Sequence, residues 1–206
     1  MKFEKYTMSF TTGALFHRES VALAELYLVY NDWITLSDTV LSQNILQSRT
    51  QNTAKRVCRE ICSRLKKLNE HELNLLIHGT TQEQGYLLWL AICRRYTFIA
   101  DFAAEVVHEH FVNMNFSLHY SDFDIFFNRK SEWHNEIESL SISTRAKLRQ
   151  VVFKMLREAG LLTEDNTIVP PIFTSQFLDT ISQADYNCLN VFPVSNTEIV
   201  RCLHGC

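Results

Sequence analysis

Proline is nearly missing from this chain: three occur in 206 residues, Pro170, Pro171 and Pro193, all in the last quarter. Glycine is scarce too, with five. Proline removes a helix hydrogen bond and glycine costs about 1 kcal/mol against alanine, so everything before Pro170 is free to be helical. Long apolar runs are also absent. The longest, Tyr86 to Cys93, falls well short of the ~20 residues that cross a bilayer and ends in Arg94-Arg95, which argues against a membrane partner. The opening residues Met1-Lys2-Phe3-Glu4-Lys5-Tyr6 lack the apolar core and cleavage site of a secretory signal, so a cytoplasmic protein with reduced cysteines is expected. No Gly-rich phosphate loop and no nucleophile motif is found. His108-Glu109-His110 puts two histidines at i, i+2, on different faces of a helix, which suits neither a metal nor an acid–base pair; they read as exposed histidines near a helix end. Neither an enzyme nor a cofactor is expected.

What is present is ordinary globular composition, 46% hydrophobic and 21% charged, enough for a core without a metal or disulfide staple. Apolar residues recur at spacings of three and four, with no sustained alternation by two, which predicts an all-α fold, a compact multi-helix bundle. Helices are expected from Ala14 to about Val29, from Trp33 to Leu41 behind Asn31-Asp32, and from Thr50 or Asn52 to Leu68. The next is expected behind a capping box of Asn69 and Glu72, ending at a left-handed Gly79. Gln82 to Val112, the most hydrophobic stretch, predicts a central hairpin or bent helix; a helix capped by Ser121 follows, and another opens at Ser143 or Thr144 and stops at Gly160. Leu161-Leu162 and Ile168-Val169 read as two brief strands, a short β-wing around Thr163 to Thr167, with one more helix within Phe173 to Ser182. The expected organisation is an N-terminal helical domain (8–118), a C-terminal winged-helix-like unit (119–183) and a loosely ordered tail (184–206).

The net charge of −3 hides a strong polarisation. Arg49, Lys55, Arg56, Arg59, Arg64, Lys66 and Lys67 share their segment with one acid, Glu60; Arg145, Lys147, Arg149, Lys154 and Arg157 share theirs with none. The two segments carry 12 − 1 = +11, leaving 8 − 22 = −14 elsewhere. At 100° per residue, Ala54, Val57, Cys58, Ile61, Cys62, Leu65 and Leu68 form an apolar stripe, with Lys55, Arg56, Arg59, Lys66 and Lys67 opposite. In the second segment Leu148, Val151, Val152, Met155, Leu156 and Ala159 form the stripe; Lys147, Arg149, Lys154 and Arg157 are expected outward, with Phe153 among them. Hydroxyls at the helix starts, Thr50 and Thr53 among them, suit phosphate oxygens. A register offset of 91 pairs Thr53 with Thr144, Arg56 with Lys147, Ile61 with Val152 and Lys66 with Arg157, the outline of a repeated helix-turn-helix unit. The expected nucleic-acid contacts are therefore Arg49, Thr50, Thr53, Lys55, Arg56, Arg59, Lys66, Lys67, Arg145, Lys147, Arg149, Lys154 and Arg157. A basic face can equally pair with the protein's own carboxylates, or dock a protein partner alongside the aromatic-rich stretch Phe116 to Trp133.

Cys58 and Cys62, at i, i+4 on the apolar stripe, read as core fillers. Cys202-Leu-His204-Gly-Cys206 gathers three donors but marks no fourth, so no metal is expected. Four stretches resemble a known family: Gly13-Ala-Leu-Phe-His-Arg-Glu-Ser20, Arg49-Thr-Gln-Asn-Thr-Ala-Lys-Arg56, Glu83-Gln-Gly-Tyr-Leu-Leu-Trp-Leu-Ala-Ile-Cys-Arg-Arg-Tyr96, and Ser143 to Arg149 continuing through Leu156-Arg-Glu-Ala-Gly-Leu-Leu162. They are similar to BrxA, a small component of bacterial BREX phage-defence systems, over roughly residues 8 to 182. The resemblance implies a helical, non-catalytic accessory protein that binds double-stranded DNA and works with other BREX components. The family is similar in helical arrangement to the NusB antitermination proteins, which implies RNA as an alternative ligand.

Overall fold

A computed structural model describes residues 5–182 and 186–195. It is all-α. Helices α1 (His17–Tyr30) and α2 (Trp33–Ser42) lead to α3 (Gln51–Leu65), α4 (Glu70–His78) and α5 (Thr81–Arg95). The chain continues through α6 (Thr97–Phe102), a π-helical segment (Ala103–His108) and α7 (Glu109–Val112). Then come α8 (Tyr120–Ser131), the single turn α9 (Asn135–Glu138), α10 (Ile142–Glu158), α11 (Ser175–Ser182) and a 3-10 turn (Tyr186–Val191). No strand forms among the described residues; the expected wing is a pair of isolated antiparallel bridges, Leu162 to Ile168 and Ser117 to Thr167.

Helix α5 sits at the centre. Every residue from Gly85 to Cys93 is buried, Trp89 completely, so the helix has no solvent face in its middle and takes neighbours on all sides. Capping boxes start both α4 and α5, and each uses a glutamate that is itself buried. Glu72 accepts from the Asn69 N–H at 2.8 Å and takes a bidentate Arg94 guanidinium at 2.7 and 2.8 Å, tying α4 to the end of α5. Glu83 accepts from the Thr80 N–H and hydroxyl, each at 2.8 Å, and from the Thr174 hydroxyl. Thr174 in turn accepts from the Phe177 N–H at 3.1 Å, so one carboxylate serves the starts of α5 and α11. Burial disfavours the charged form of Glu83, but the hydrogen bonds from Thr174 and Thr80 outweigh it and hold the carboxyl below its ordinary 4.5.

Several expectations are corrected. The first helix begins at His17, three residues later than Ala14, because the preceding backbone has tertiary partners. The Ala14 carbonyl accepts from Arg64 Nη1 at 2.7 Å and the Leu15 N–H donates to Glu158 Oε2 at 2.5 Å. Gly79 is extended (φ −74°, ψ 172°), not left-handed, since Thr80 caps the next helix at once; Gly160 does take the left-handed form, φ 73°. The bend in the central stretch falls at Tyr96, where neither proline nor glycine stands. Its backbone leaves the helical range (φ −125°, ψ 93°) while its buried ring packs edge-on to Phe10 and its hydroxyl donates to Glu60 at 2.6 Å. Helix α8 starts one residue before Ser121, with the His119 N–H donating to Asp122 at 2.7 Å, and Ser141 rather than Ser143 or Thr144 caps α10.

His108 is buried, not exposed: its Nδ1 donates to the Phe192 carbonyl at 2.9 Å. Trp89 Nε1 donates to the Val191 carbonyl at 2.9 Å, and Leu189, Phe192 and Val194 are buried. Those residues are therefore packed against the bundle, within the stretch 184–206 expected as a loosely ordered tail. The Cys202 to Cys206 cluster lies outside the described residues. One contiguous core joins residues on both sides of the boundary expected at 118/119. The backbone of 116–118 also pairs with 166–168 across it, the Ile168 N–H donating to the Phe116 carbonyl at 2.7 Å.

Two glycines give opposite expectations. A Cβ at Gly13 would lie 2.3 Å from Val151 Cγ2, so Gly13→Ala should destabilise the fold by about 1–3 kcal/mol in urea denaturation. At Gly85 the nearest atoms lie at 3.5 Å, ordinary contact, and Gly85→Ala should stabilise by up to about 1 kcal/mol. Because the Glu83 pKa is lowered on folding, its contribution is complete above the ordinary value of 4.5 and is lost as pH falls through the folded value. The stability gap between wild type and Glu83→Gln should therefore shrink from neutral pH to about pH 3, and a gap unchanged with pH would refute this role.

Candidate nucleic-acid interface

Thr50 caps α3, its hydroxyl oxygen accepting from the Thr53 N–H at 3.2 Å while its own proton goes to Thr53 Oγ1 at 3.0 Å. Both hydroxyls are thus engaged in starting the helix. Ala54, Cys58, Ile61, Cys62, Leu65 and Leu68 are buried and Val57 is half-buried, which leaves Arg49, Lys55, Arg56, Arg59, Lys66 and Lys67 exposed. Arg49, Lys55, Arg56, Arg59 and Lys67 make no ion pair among the described residues. Lys66 lies 5.5 Å over the Trp33 ring, which is itself stacked on Tyr27 at 4.0 Å. The one acid of the segment turns inward: Glu60 takes Arg64 Nε at 2.8 Å and the Tyr96 hydroxyl at 2.6 Å. Arg64 is 2% exposed, so it alone of the seven cations belongs to the interior, with Nη2 lacking a hydrogen-bond partner among the described residues.

Helix α10 has a different environment. Its stripe of Leu148, Val151, Val152, Met155, Leu156 and Ala159 is buried, and so is Phe153, which was expected outward and instead meets Tyr120 edge-on at 4.6 Å. The row facing away from the stripe is partly neutralised by the protein's own groups. Arg145 Nε pairs with Asp124 Oδ1 at 3.1 Å and its Nη1 donates to Asn128 Oδ1 at 2.7 Å, while Arg149 pairs with the other Asp124 oxygen. Both guanidiniums also lie over rings, Arg145 4.8 Å from Phe127 and Arg149 5.0 Å from Tyr120. Arg157 donates to Asn166 Oδ1 at 2.5 Å and to the Thr163 carbonyl at 3.3 Å, and Lys154 sits 3.6 Å from Glu158. Lys147 and Lys154 are exposed. At the tip of the bridge-paired turn, Glu164 and Asp165 present two exposed carboxylates, the wrong sign for a wing that meets phosphates.

The two basic helices do share one further match at the offset of 91, since their caps are Thr50 and Ser141. Neither helix pair has the tight 3–4-residue connection of a standard helix-turn-helix. Residues 43–50 join α2 to α3, and residues 132–141, including α9, join α8 to α10. Sequence reading missed Asp124 as the group that occupies α10; it lies two dozen residues upstream, and no local spacing marks it. Among the described residues no three His, Cys, Asp or Glu side chains cluster as metal ligands, and no helix is long and apolar enough to cross a membrane.

The chain is similar to known proteins over most of its length. The family model BrxA matches residues 4–185. A "BREX protein BrxA" from Escherichia coli O9:H4 (strain HS) is 34% identical over 148 residues, 72% of this chain and 70% of that protein. A second "BREX protein BrxA", from Bacillus cereus (strain H3081.97), is 29% identical over 127 residues, 62% of this chain and 64% of its own length. In fold, the crystal structure of an uncharacterized protein from Magnetospirillum magneticum superposes with a TM-score of 0.74, covering 97% of this chain and 98% of that one at 18% identity. The family match spans the helices from α1 to α11, both basic ones included, and on it the chain belongs to the BrxA family.

Proposed function

We propose that this protein is a non-catalytic, duplex-DNA-binding component of a BREX phage-defence system, acting in the cytoplasm, and that α3 carries most of its phosphate contacts. The observation that carries the reading is the contrast between the two helices. Arg49, Lys55, Arg56, Arg59 and Lys67 face solvent with no ion pair among the described residues, and Lys66 is exposed near Asp32, whereas Arg145, Arg149 and Arg157 have partners within the fold. From Lys55 to Lys66 the row extends roughly 16 Å at 1.5 Å per residue, enough to cross a B-DNA major groove about 12 Å wide. The deep, narrow groove of an RNA duplex does not admit a helix, so a NusB-like RNA role is the weaker alternative. Lys147 and Lys154 remain as secondary phosphate contacts on α10. The names of the two relatives support the BREX assignment.

A second reading, docking of another BREX component, draws on exposed apolar residues around α8: Phe116 and Tyr120 at 40% and 42%, Ile125 and Trp133 at 66% and 67%. The two readings separate by salt and nuclease. A complex held by that surface survives both, and a DNA complex does not.

Fluorescence anisotropy with duplex DNA, single-stranded DNA and RNA across several salt concentrations tests the proposal. With all six cations on and flanking α3 engaged, log K for the duplex should fall with a slope near −5 per decade of salt. Arg56→Gln with Arg59→Gln should reduce that slope by about 2. A flat salt response, or tighter binding to RNA than to the duplex, would refute the proposal. Asp124→Asn removes the shared partner of Arg145 and Arg149 and should cost about 1–3 kcal/mol of stability by thermal or urea unfolding. A fully stable variant would show that the clamp is not structural.

A further inference from the structure

A pocket of 380 Å³ opens between α2 and α3, behind the row of cations. The thiols of Cys58 and Cys62 line it, and so do Lys55, Arg59 and Lys66. The two sulfurs stand 4.0 Å apart, close enough for one thiol to donate to the other. With Cys62 as the donor, that bond together with Ser37 outweighs burial and lowers the Cys58 thiol, while the same bond and burial push Cys62 up. A lowered thiol in a pocket whose wall carries Lys55, Arg59 and Lys66 shares the electropositive setting of reactive cysteines.

A disulfide between the two does not fit the helix. Side chains at i, i+4 have Cβ atoms about 5–6 Å apart, whereas a disulfide needs roughly 3.5–4.5 Å. Cys62 therefore activates Cys58 but cannot resolve an adduct on it unless α3 unwinds. Cys58 is only 2% exposed, so a reagent reaches it through the pocket and past the three cations. Within a Debye length of about 10 Å those charges concentrate anions and repel cations.

We propose that Cys58 is a thiol-modification site selective for anionic low-molecular-weight disulfides. The Cys58 thiolate attacks one sulfur of the reagent, the reagent's S–S bond breaks, a mixed disulfide forms on Cys58, and the other half departs as a thiolate. No further oxidant is required. The retained group places its carboxylates among Lys55, Arg59 and Lys66. Its effect on duplex binding rests on the DNA reading above; the modification itself does not.

The full-length protein is treated at low salt with glutathione disulfide, which is anionic, and in parallel with cystamine, which is cationic. The adduct is located by peptide mass mapping, and rates are normalised to those of free cysteine. The expected result is an adduct on Cys58 and a preference for glutathione disulfide of about tenfold. That preference should collapse in about 1 M salt, and Lys55→Gln with Arg59→Gln should bring it towards one. Cys62→Ala, confirmed as folded by circular dichroism, should slow the reaction at Cys58. Adducts confined to other cysteines, or equal rates for the two reagents, would overturn the proposal, and wild-type mapping decides this even if a variant fails to fold. An adduct that forms while duplex binding stays unchanged sinks the coupling to α3. Absence of duplex binding in the reduced protein sinks the DNA reading alone.

Discussion

The burial of α5 on all sides is the constraint from which the rest of the structure follows. A helix whose middle offers no face to water can be stable only when other helices cover it. Helix α3, which packs on it and on α2, must turn its apolar stripe inward, and the cations between those positions are left in solvent by geometry alone. The polar groups that remain inside are the ones that close the frame. Glu72 with Arg94, Glu83 with Thr174, and Glu60 with Arg64 and Tyr96 each join two segments distant in sequence. Buried ion pairs such as Glu72 with Arg94 and Glu60 with Arg64 do not raise stability much over a well-packed apolar pair, but breaking one is costly, so they fix which segments meet.

The same charge count has two outcomes on two helices. Both basic segments are rich in Arg and Lys, yet α3 lies beside exposed cations and one inward carboxylate, while α10 lies beside α8, whose Asp124 accepts two arginines. A local excess of positive charge is therefore not the same as an available positive surface. The difference is set by what packs against each helix.

Periodicity and capping carried most of the legible information. The stripes of α3 and α10, the Asn69–Glu72 box and the Gly160 stop all depend on residues within four positions of one another, the range over which helix geometry acts. What failed to be legible involves distant partners. Ala14 and Leu15 look helical and are not, because Arg64 and Glu158 claim their backbone groups. Phe153 falls at an outward angle and is covered by Tyr120; His108 looks like a polar helix end and is held by Phe192. The stretch from Tyr186 reads as weakly structured until Trp89 and His108 are seen to hold its carbonyls. The candidate interface was legible as a set of cations but not as a surface, since nothing near Arg145 or Arg149 in the chain announces Asp124.

The double use of Glu83 bears on how the molecule opens. The first turn of α5 and the first turn of α11 share a single acceptor, so neither can fray without stripping the other of a hydrogen bond. Segments almost a hundred positions apart thus belong to one cooperative opening unit, and the amides of the late helix acquire protection from the innermost element of the fold instead of behaving as an independent end.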